Sequence, residues 1–172
     1  MKNYIEIERK YIIEMPDREK LLTLPQAETS SIVQIYLDSP SGVTRRIRSR
    51  SYKNVTLYFE TVKKRIDKIS AFEDEKEITE SEFREKSKEI KTGTSPILKE
   101  RIAFLYNDKT IEIDIYPNWK NTAIMEIELN STDDVPKIPD YIKIVREVSG
   151  EWQYSNAAMA EKFPTEDLLR KN

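Results

Sequence analysis

Short segments in which apolar and polar residues alternate recur along most of this chain. In the first segment the apolar residues Ile5, Ile7 and Tyr11 occupy odd-numbered positions, and the even-numbered positions between them are charged. Alternation of this kind is typical of a β-strand with one buried and one polar face. The pattern predicts eight strands, over Ile5–Tyr11, Ile32–Leu37, Thr44–Arg50, Val55–Lys63, Phe72–Ile78, Ile97–Tyr106, Thr110–Tyr116 and Ala123–Leu129.

Helical signals are few and short. Thr79 and Glu82 have the spacing of a capping box, Pro16 suits the first turn of a helix, and Ser155 is a typical N-cap residue. These signals predict three or four short helices: three over residues 16–24, 79–90 and 155–163, and a further turn over residues 165–170 as the fourth. The predicted fold class is therefore mainly β (α+β), with a few short peripheral helices.

Charged side chains form rows along the predicted strands. Residues i and i+2 of a strand share a face, so Glu6, Glu8 and Lys10 lie together. The other rows are Arg46 with Arg48, Glu73 with Glu75 and Glu77, Lys99 with Arg101, Glu112 with Asp114, and Glu126 with Glu128. Like charges in one row repel unless opposite charges neutralise them, and metal ions or phosphates could do so. Alternation alone is compatible with a barrel that turns these rows inward and with a sandwich that leaves them outside.

Composition excludes several kinds of catalytic site. The 172 residues include no cysteine and no histidine, so a thiolate nucleophile, a Ser-His-Asp triad and a histidine-ligated zinc are excluded. Charged residues make up 35% of the chain, but the net charge of −2 argues against a general nucleic-acid or membrane-surface binder. With no apolar run of about 20 residues, a soluble, cytoplasmic protein is expected.

Several of these rows match a known family in order along the chain. Glu6-Ile7-Glu8-Arg9-Lys10 resembles the ExExK signature of the CYTH family, also called triphosphate tunnel metalloenzymes. The further matches are Arg46-Ile47-Arg48, Thr61-Val62-Lys63, Glu73-Asp74-Glu75, Lys99-Glu100-Arg101, Ile113-Asp114-Ile115-Tyr116, Glu126-Ile127-Glu128-Leu129, Val148-Ser149-Gly150 and Tyr154-Ser155-Asn156. The resemblance implies a single domain over residues 1–172, an eight-stranded antiparallel β-barrel forming a charged tunnel with the rows inside.

The resemblance also implies roles for individual residues. It assigns binding of Mg²⁺ or Mn²⁺ to the carboxylates Glu6, Glu8, Glu75, Asp114, Glu126 and Glu128. It assigns substrate binding to Arg46, Arg48, Lys99 and Arg101, and catalytic roles to Lys10 and Lys63. Ala71 departs from the family pattern, which often has a basic residue before the central acidic strand. Which of Glu73, Glu75 and Glu77 faces the tunnel therefore stays open.

The function expected from the resemblance is hydrolysis of a triphosphate-containing substrate, foremost inorganic tripolyphosphate, by a metal-activated water. Phosphoryl transfer is mostly positioning and charge neutralisation, so it needs neither histidine nor cysteine. The alternatives are a class IV-type adenylate cyclase and a non-catalytic polyphosphate or nucleotide-binding module. The expected partner is a small-molecule triphosphate, with no nucleic acid and no membrane, and a homodimer is left open.

Aromatic residues and one arginine are interpreted from their positions in the pattern. Trp119 and Trp152 are interpreted as packing or loop residues rather than as platforms for a base. Tyr36 and Tyr58 are expected in the core or the barrel wall, and Arg9 is expected on the surface because its parity differs from that of Glu8.

Overall fold

The strands of this protein close into a barrel. The computed structural model describes residues 2–169, which form nine strands: β1 (Lys2–Glu14), β2 (Glu28–Leu37), β3 (Val43–Tyr52), β4 (Val55–Arg65), β5 (Ser70–Ile78), β6 (Ile97–Tyr106), β7 (Lys109–Ile115), β8 (Thr122–Glu128) and β9 (Ile144–Glu147). Neighbours pair antiparallel in the order β5-β4-β3-β2-β6-β7-β8-β1, and a further β1–β5 pairing closes the ring. The predicted closed barrel of eight antiparallel strands is confirmed.

The ninth strand is the part of the sheet that the sequence pattern missed. β9 is four residues long and pairs with β1 along Tyr11, Ile12 and Ile13, outside the closed ring. Its sequence, Ile-Val-Arg-Glu, contains too little alternation to indicate a strand. β1 can pair with both β5 and β9 because it is 13 residues long, and β5 covers only its first half.

The helices are short and lie at the periphery, as predicted. They are α1 (Arg18–Leu21), α2 (Glu80–Ser87), α3 (Asn156–Glu161) and α4 (Glu166–Leu169), with a 3₁₀ turn at Trp152–Tyr154. The capping box is confirmed, because Glu82 N donates to Thr79 Oγ1 at 3.2 Å and Thr79 N donates to Glu82 Oε2 at 2.7 Å. The predicted last residue of the final helix, Arg170, lies outside the described residues. None of the helices in residues 2–169 is long and apolar enough to cross a lipid bilayer.

Most apolar residues pack against the outside of the barrel. The outer faces of β1, β6, β7 and β8 pack beneath α1 and residues 129–142, and Ile13, Ile102, Ile111, Ile113 and Ile127 are fully buried there. A smaller cluster lies between α2 and the outer faces of β2 and β3. The charged residues of each strand, which alternate with these apolar residues, therefore face the middle of the barrel.

One end of the barrel interior is apolar. The inward positions of β1 and β8 change from charged residues to Ile12 and Ile124, which pack with Tyr154 and Met159 from the 3₁₀ turn and α3. Burial of these side chains stabilises the closure of this end, because apolar surface is removed from water. The charged cavity therefore lies in the remaining part of the barrel, beside the start of α3.

Candidate active site

A cavity of about 390 Å³ occupies the charged part of the barrel, and all eight ring strands contribute to its wall. We call it the central cavity. The cationic residues of its wall are Lys10, Arg46, Arg48, Arg50, Lys63, Arg65, Lys99 and Arg101. The carboxylates of its wall are Glu6, Glu8, Glu73, Glu112, Glu126 and Glu128. The charged rows therefore face inward, which decides the alternative that alternation left open.

Strand register brings opposite charges together inside the cavity. Lys63 on β4 lies opposite Glu73 on β5, and Lys10 on β1 lies opposite Glu126 on β8. Arg101 on β6 likewise lies opposite Asp114 on β7. The signs do not alternate around the whole ring, because β3 and β4 both carry cations and β7 and β8 both carry carboxylates on their inward faces. Charges are therefore neutralised across strands at these three pairs even without a bound ligand.

The first group of paired charges is the Lys63 cluster, made of Tyr4, Glu6, Arg46, Lys63 and Glu73. Lys63 Nζ lies 2.9 Å from Glu73 Oε1 and also contacts Glu6 Oε2. Burial alone would lower the pKa of Lys63, but the carboxylates of Glu6 and Glu8 outweigh it and raise that pKa. Tyr4 Oη donates to Glu73 Oε2 at 3.1 Å. Burial would raise the pKa of Glu73, yet Arg46 and Lys63 lower it, so this carboxylate is ionised.

The second group is the Arg101 cluster, made of Lys10, Lys99, Arg101, Asp114 and Glu126. Glu126 accepts from Lys10 Nζ at 2.7 Å and from Arg101 Nη2 at 3.0 Å. Asp114 is 1% exposed and accepts from Arg101 Nε at 2.6 Å and from Lys99 Nζ at 2.5 Å. Burial would raise the pKa of Glu126, but Lys10 and Arg101 hold it well below its usual range.

The lysines of the cavity differ in their protonation. Burial would lower the pKa of Lys10, but Glu126 and Glu8 raise it above its ordinary value. Burial and the nearby Arg101 lower the pKa of Lys99 to about 8, despite its contact with Asp114. Lys10 and Lys63 are therefore protonated and positively charged at neutral pH.

The question of which acidic residue of β5 faces the cavity is answered by its wall. Glu73 is part of the wall and 1% exposed, whereas Glu77 lies on the exposed part of the strand. Glu75 accepts from Arg48 Nη2 at 3.0 Å and from Thr61 Oγ1 at 2.9 Å. Glu75 and Asp114, both predicted metal ligands, hold arginines of the cavity in this structure, and their metal binding stays a prediction.

Several residues of the wall were absent from the predicted site. Glu73 and Glu112 could have been found, because each shares a strand face with a residue that was assigned. Arg50 continues the row of Arg46 and Arg48 in the same way, and it pairs with Glu28 at 2.5 Å. Trp152 carries no signal in the sequence, because its place beside the cavity depends on how the segment after β9 returns to the barrel.

Carboxylates in one part of the cavity crowd together. Burial and the neighbouring Glu126 raise the pKa of Glu8 to about 7, and burial and Glu112 raise the pKa of Glu128. Carboxylate oxygens are the ligands that Mg²⁺ and Mn²⁺ prefer, so the donor set fits a divalent cation. Within residues 2–169, however, no three carboxylates converge closely enough to hold one. Several of these oxygens form ion pairs with lysine and arginine instead. They can bind a metal ion only after they leave these cations.

Two arginines of the wall have spare donors. The Nε–H groups of Arg46 and Arg48 are buried and have no hydrogen-bond partner among the described residues. Buried donors without partners are rare in proteins because desolvation of the group is not compensated. Both arginines line the cavity, and a guanidinium binds phosphate oxygens through two parallel donors, so these side chains are suited to an anionic ligand.

The barrel has counterparts among solved structures. The inorganic triphosphatase NE1496 superposes with a TM-score of 0.58 and 24% identity, over 92% of this chain and 96% of that chain. The chain has the CYTH fold. A conserved hypothetical protein from Pyrococcus furiosus aligns with a TM-score of 0.58 and 24% identity, over 74% of this chain and 80% of that one. The PH1819 protein from Pyrococcus horikoshii aligns with a TM-score of 0.56 and 20% identity, over the same shares.

The fold of this chain is not found by comparison of sequences alone. No family model matches the chain, and no curated protein matches it in sequence. The CYTH fold is instead established by the closed ring of eight strands and by a superposition that covers 92% of this chain. At this level of identity the side chains of the cavity must be interpreted from their own geometry.

Proposed function

We propose that this protein hydrolyses triphosphate-containing substrates with the help of Mg²⁺ or Mn²⁺, and that inorganic tripolyphosphate is the foremost substrate. The observation that carries the proposal is the combination of cationic and acidic residues in the wall of one barrel cavity. The likeness in fold to NE1496, an inorganic triphosphatase, supports it. Such a cavity is suited to a compact polyanion that binds together with divalent cations.

The phosphate chain is expected to bind to the cations of both clusters. Arg46 and Arg48 line the cavity, and their guanidinium groups can contact phosphate oxygens as planar forks. Lys10 and Lys63 act as firm point charges, because nearby carboxylates raise the pKa of each. These charges neutralise the oxygens on which negative charge develops as the phosphoanhydride bond breaks.

Binding requires the cations to exchange partners. Lys63 is held by Glu6 and Glu73 before the substrate binds, and Lys10 is held by Glu126. When a phosphate oxygen takes over such a cation, the carboxylate that held it is released. The released carboxylates can then bind a divalent cation. Metal and triphosphate are therefore expected to raise each other's affinity, because coupling between two sites is reciprocal.

The carboxylates best placed for the metal line the cavity on β1 and β8. They are Glu6, Glu8, Glu126 and Glu128, and Glu112 lies beside Glu128. A bound divalent cation supplies charge neutralisation at the phosphates and lowers the pKa of water. Asp114 does not line the cavity. Its two carboxylate oxygens accept hydrogen bonds from Arg101 and Lys99 and hold these cations in position.

The proposal is tested with a substrate panel of tripolyphosphate, ATP, GTP and thiamine triphosphate, each with Mg²⁺ and Mn²⁺. Arg46→Gln is expected to lower kcat/KM for tripolyphosphate on the order of 100-fold, the usual loss when a group that stabilises developing charge is removed. Arg18→Gln is the matched control, because Arg18 pairs with Glu100 on the outer surface at 2.7 Å. The control is expected to keep full activity.

Other outcomes would identify the alternatives. Cyclic AMP and pyrophosphate formed from ATP would indicate a class IV-type adenylate cyclase instead. Tight binding of tripolyphosphate without phosphate release would indicate a binding module. Absence of both binding and turnover with every substrate would contradict the proposal.

A further inference from the structure

A second pocket adjoins the central cavity. Its volume is about 230 Å³, and its wall comprises the β2–β3 connection (residues 38–42), the turn after α2, the start of α3 and the 3₁₀ turn. We call it the side pocket. Tyr36, Thr44 and Trp152 belong to both walls, so the two spaces meet at these residues. A molecule bound in the central cavity can therefore extend into the side pocket.

The side pocket differs from the central cavity in its charge. Its two cationic residues are engaged in ion pairs, Lys91 with Glu161 at 2.7 Å and Arg45 with Glu60 at 2.6 Å. The rest of the wall carries mainly hydroxyl and apolar groups, including those of Pro40. Such a wall offers little to a phosphate group. It is suited to a part of the ligand that carries little charge.

Trp152 is the prominent apolar surface of this wall. Its side chain is 50% exposed, whereas Trp119 is 3% exposed and packs against Tyr116 and Phe163. The interpretation of Trp119 as a packing residue is confirmed, but Trp152 presents its ring to solvent at the junction of two cavities. Exposed aromatic rings in such positions bind planar rings by stacking.

Hydrogen bonds hold both sides of the side pocket in place. Arg146 donates to Glu151 at 3.2 Å and to Tyr154 Oη at 2.7 Å, which fixes the turn that carries Trp152. On the other side, Ser39 Oγ donates to the carbonyl oxygen of Val43 at 2.7 Å within the β2–β3 connection. A preorganised wall loses little conformational freedom when a ligand binds, and this favours affinity.

We propose that the side pocket binds an aromatic heterocycle carried by the triphosphate chain, with Trp152 as its stacking partner. The inference rests on the proposed function, because the phosphates of the same molecule occupy the central cavity. Thr44 links the two sites, since it belongs to both walls and lies two residues before Arg46 on the inward face of β3. Nucleoside triphosphates are then substrates beside tripolyphosphate, which has no ring and uses the central cavity alone.

The test compares substrates with and without a ring in the same variant. Trp152→Ala is expected to lower the ratio of kcat/KM for ATP to that for tripolyphosphate by roughly 5- to 150-fold, the range of losses when an aromatic stacking partner is removed. Trp152→Phe keeps an aromatic ring and is expected to restore most of the ratio. Leu168→Ala is the matched control, because Leu168 is 49% exposed but lies in α4, away from both walls. It should leave the ratio unchanged.

A binding measurement tests the stacking without turnover. A non-hydrolysable ATP analogue with Mg²⁺ is expected to quench the tryptophan fluorescence of the wild-type protein, and the quenching should disappear in Trp152→Ala. GTP, CTP and thiamine triphosphate then show which heterocycle is preferred, because each carries a different planar ring on the phosphates.

The two proposals fail in different ways. If the wild-type protein neither binds nor hydrolyses tripolyphosphate, the proposed function is wrong. If it hydrolyses tripolyphosphate but Trp152→Ala leaves the substrate ratio and the quenching unchanged, only the side-pocket inference is overturned. An equal loss for both substrates would also overturn it, because Trp152 would then support the whole cavity rather than a ring.

Discussion

Two glutamates on the inward face of β8 are expected to affect stability in opposite directions. Glu126 and Glu128 are two residues apart and both line the central cavity. Glu126→Gln is expected to destabilise the metal-free protein, whereas Glu128→Gln is expected to leave its stability unchanged or to raise it. The difference follows from the partners of each carboxylate.

Glu126 is the shared partner of two buried cations. It lies 2.7 Å from Lys10 Nζ and 3.0 Å from Arg101 Nη2, and it is 7% exposed. Removing one charge from a buried ion pair costs about 3–5 kcal/mol, because the opposite charge stays buried. Glutamine keeps one oxygen that can accept a hydrogen bond, so the lower end of that range applies. For a chain of this length about 3 kcal/mol corresponds to a fall in Tm of roughly 6–12 °C.

Glu128 has mainly carboxylates as neighbours. Burial, Glu112 and Glu8 raise its pKa, although Arg101 partly opposes them. A carboxyl group whose folded pKa is raised destabilises the fold above its unfolded pKa of about 4.3, because its ionisation is less favourable in the folded state. Glutamine removes this cost at neutral pH. Glu128 is exposed, so solvent screening limits the gain to below about 1 kcal/mol.

The assay is guanidinium denaturation in a chelator and in a buffer without phosphate, so that neither metal nor anion occupies the cavity. The pH dependence gives a second readout. The pKa of Glu126 is lowered in the folded state, so its stabilisation is present above about pH 4.3 and is lost as the pH falls through the folded pKa. The difference in the free energy of unfolding between wild type and Glu126→Gln should therefore become smaller as the pH falls below about 4.3. A Glu128→Gln variant that loses more stability than Glu126→Gln would refute this reasoning.

Two further predictions concern a loop and the coupling of ligands. Gly150 has φ +77° and an added Cβ would lie 3.0 Å from the Lys68 carbonyl oxygen, whereas Gly42 has φ +78° and open space. Gly42→Ala is expected to cost about 1–2 kcal/mol for its backbone conformation, and Gly150→Ala to cost more because of the added contact; equal losses in thermal melts would contradict the steric argument. Mn²⁺ affinity, measured by titration calorimetry, is expected to rise at least about fivefold when a non-hydrolysable triphosphate is bound. An unchanged affinity would argue against the exchange of partners.

The amino-acid sequence by itself determined the strands and the charged face of each one. Alternation has a period of two residues, so Glu6 and Glu8, or Arg46 and Arg48, share a face wherever the strand lies. The absence of histidine and cysteine limits the chemistry in the same way, since it holds for any fold. These properties are local, and eight predicted strands are found in the barrel.

Only the tertiary structure decided which face is inside and which charges meet. The rows point inward because β1 pairs with β5 and closes the ring, and that pairing joins segments about 70 residues apart. The contact of Lys63 with both Glu6 and Glu73 depends on the register of three strands, and so does the choice of Glu73 over Glu75. Trp152 reaches the cavity because the chain after β9 folds back over the end of the barrel. Alternation along a strand contains no information about its neighbours, so these contacts follow from strand pairing and closure alone.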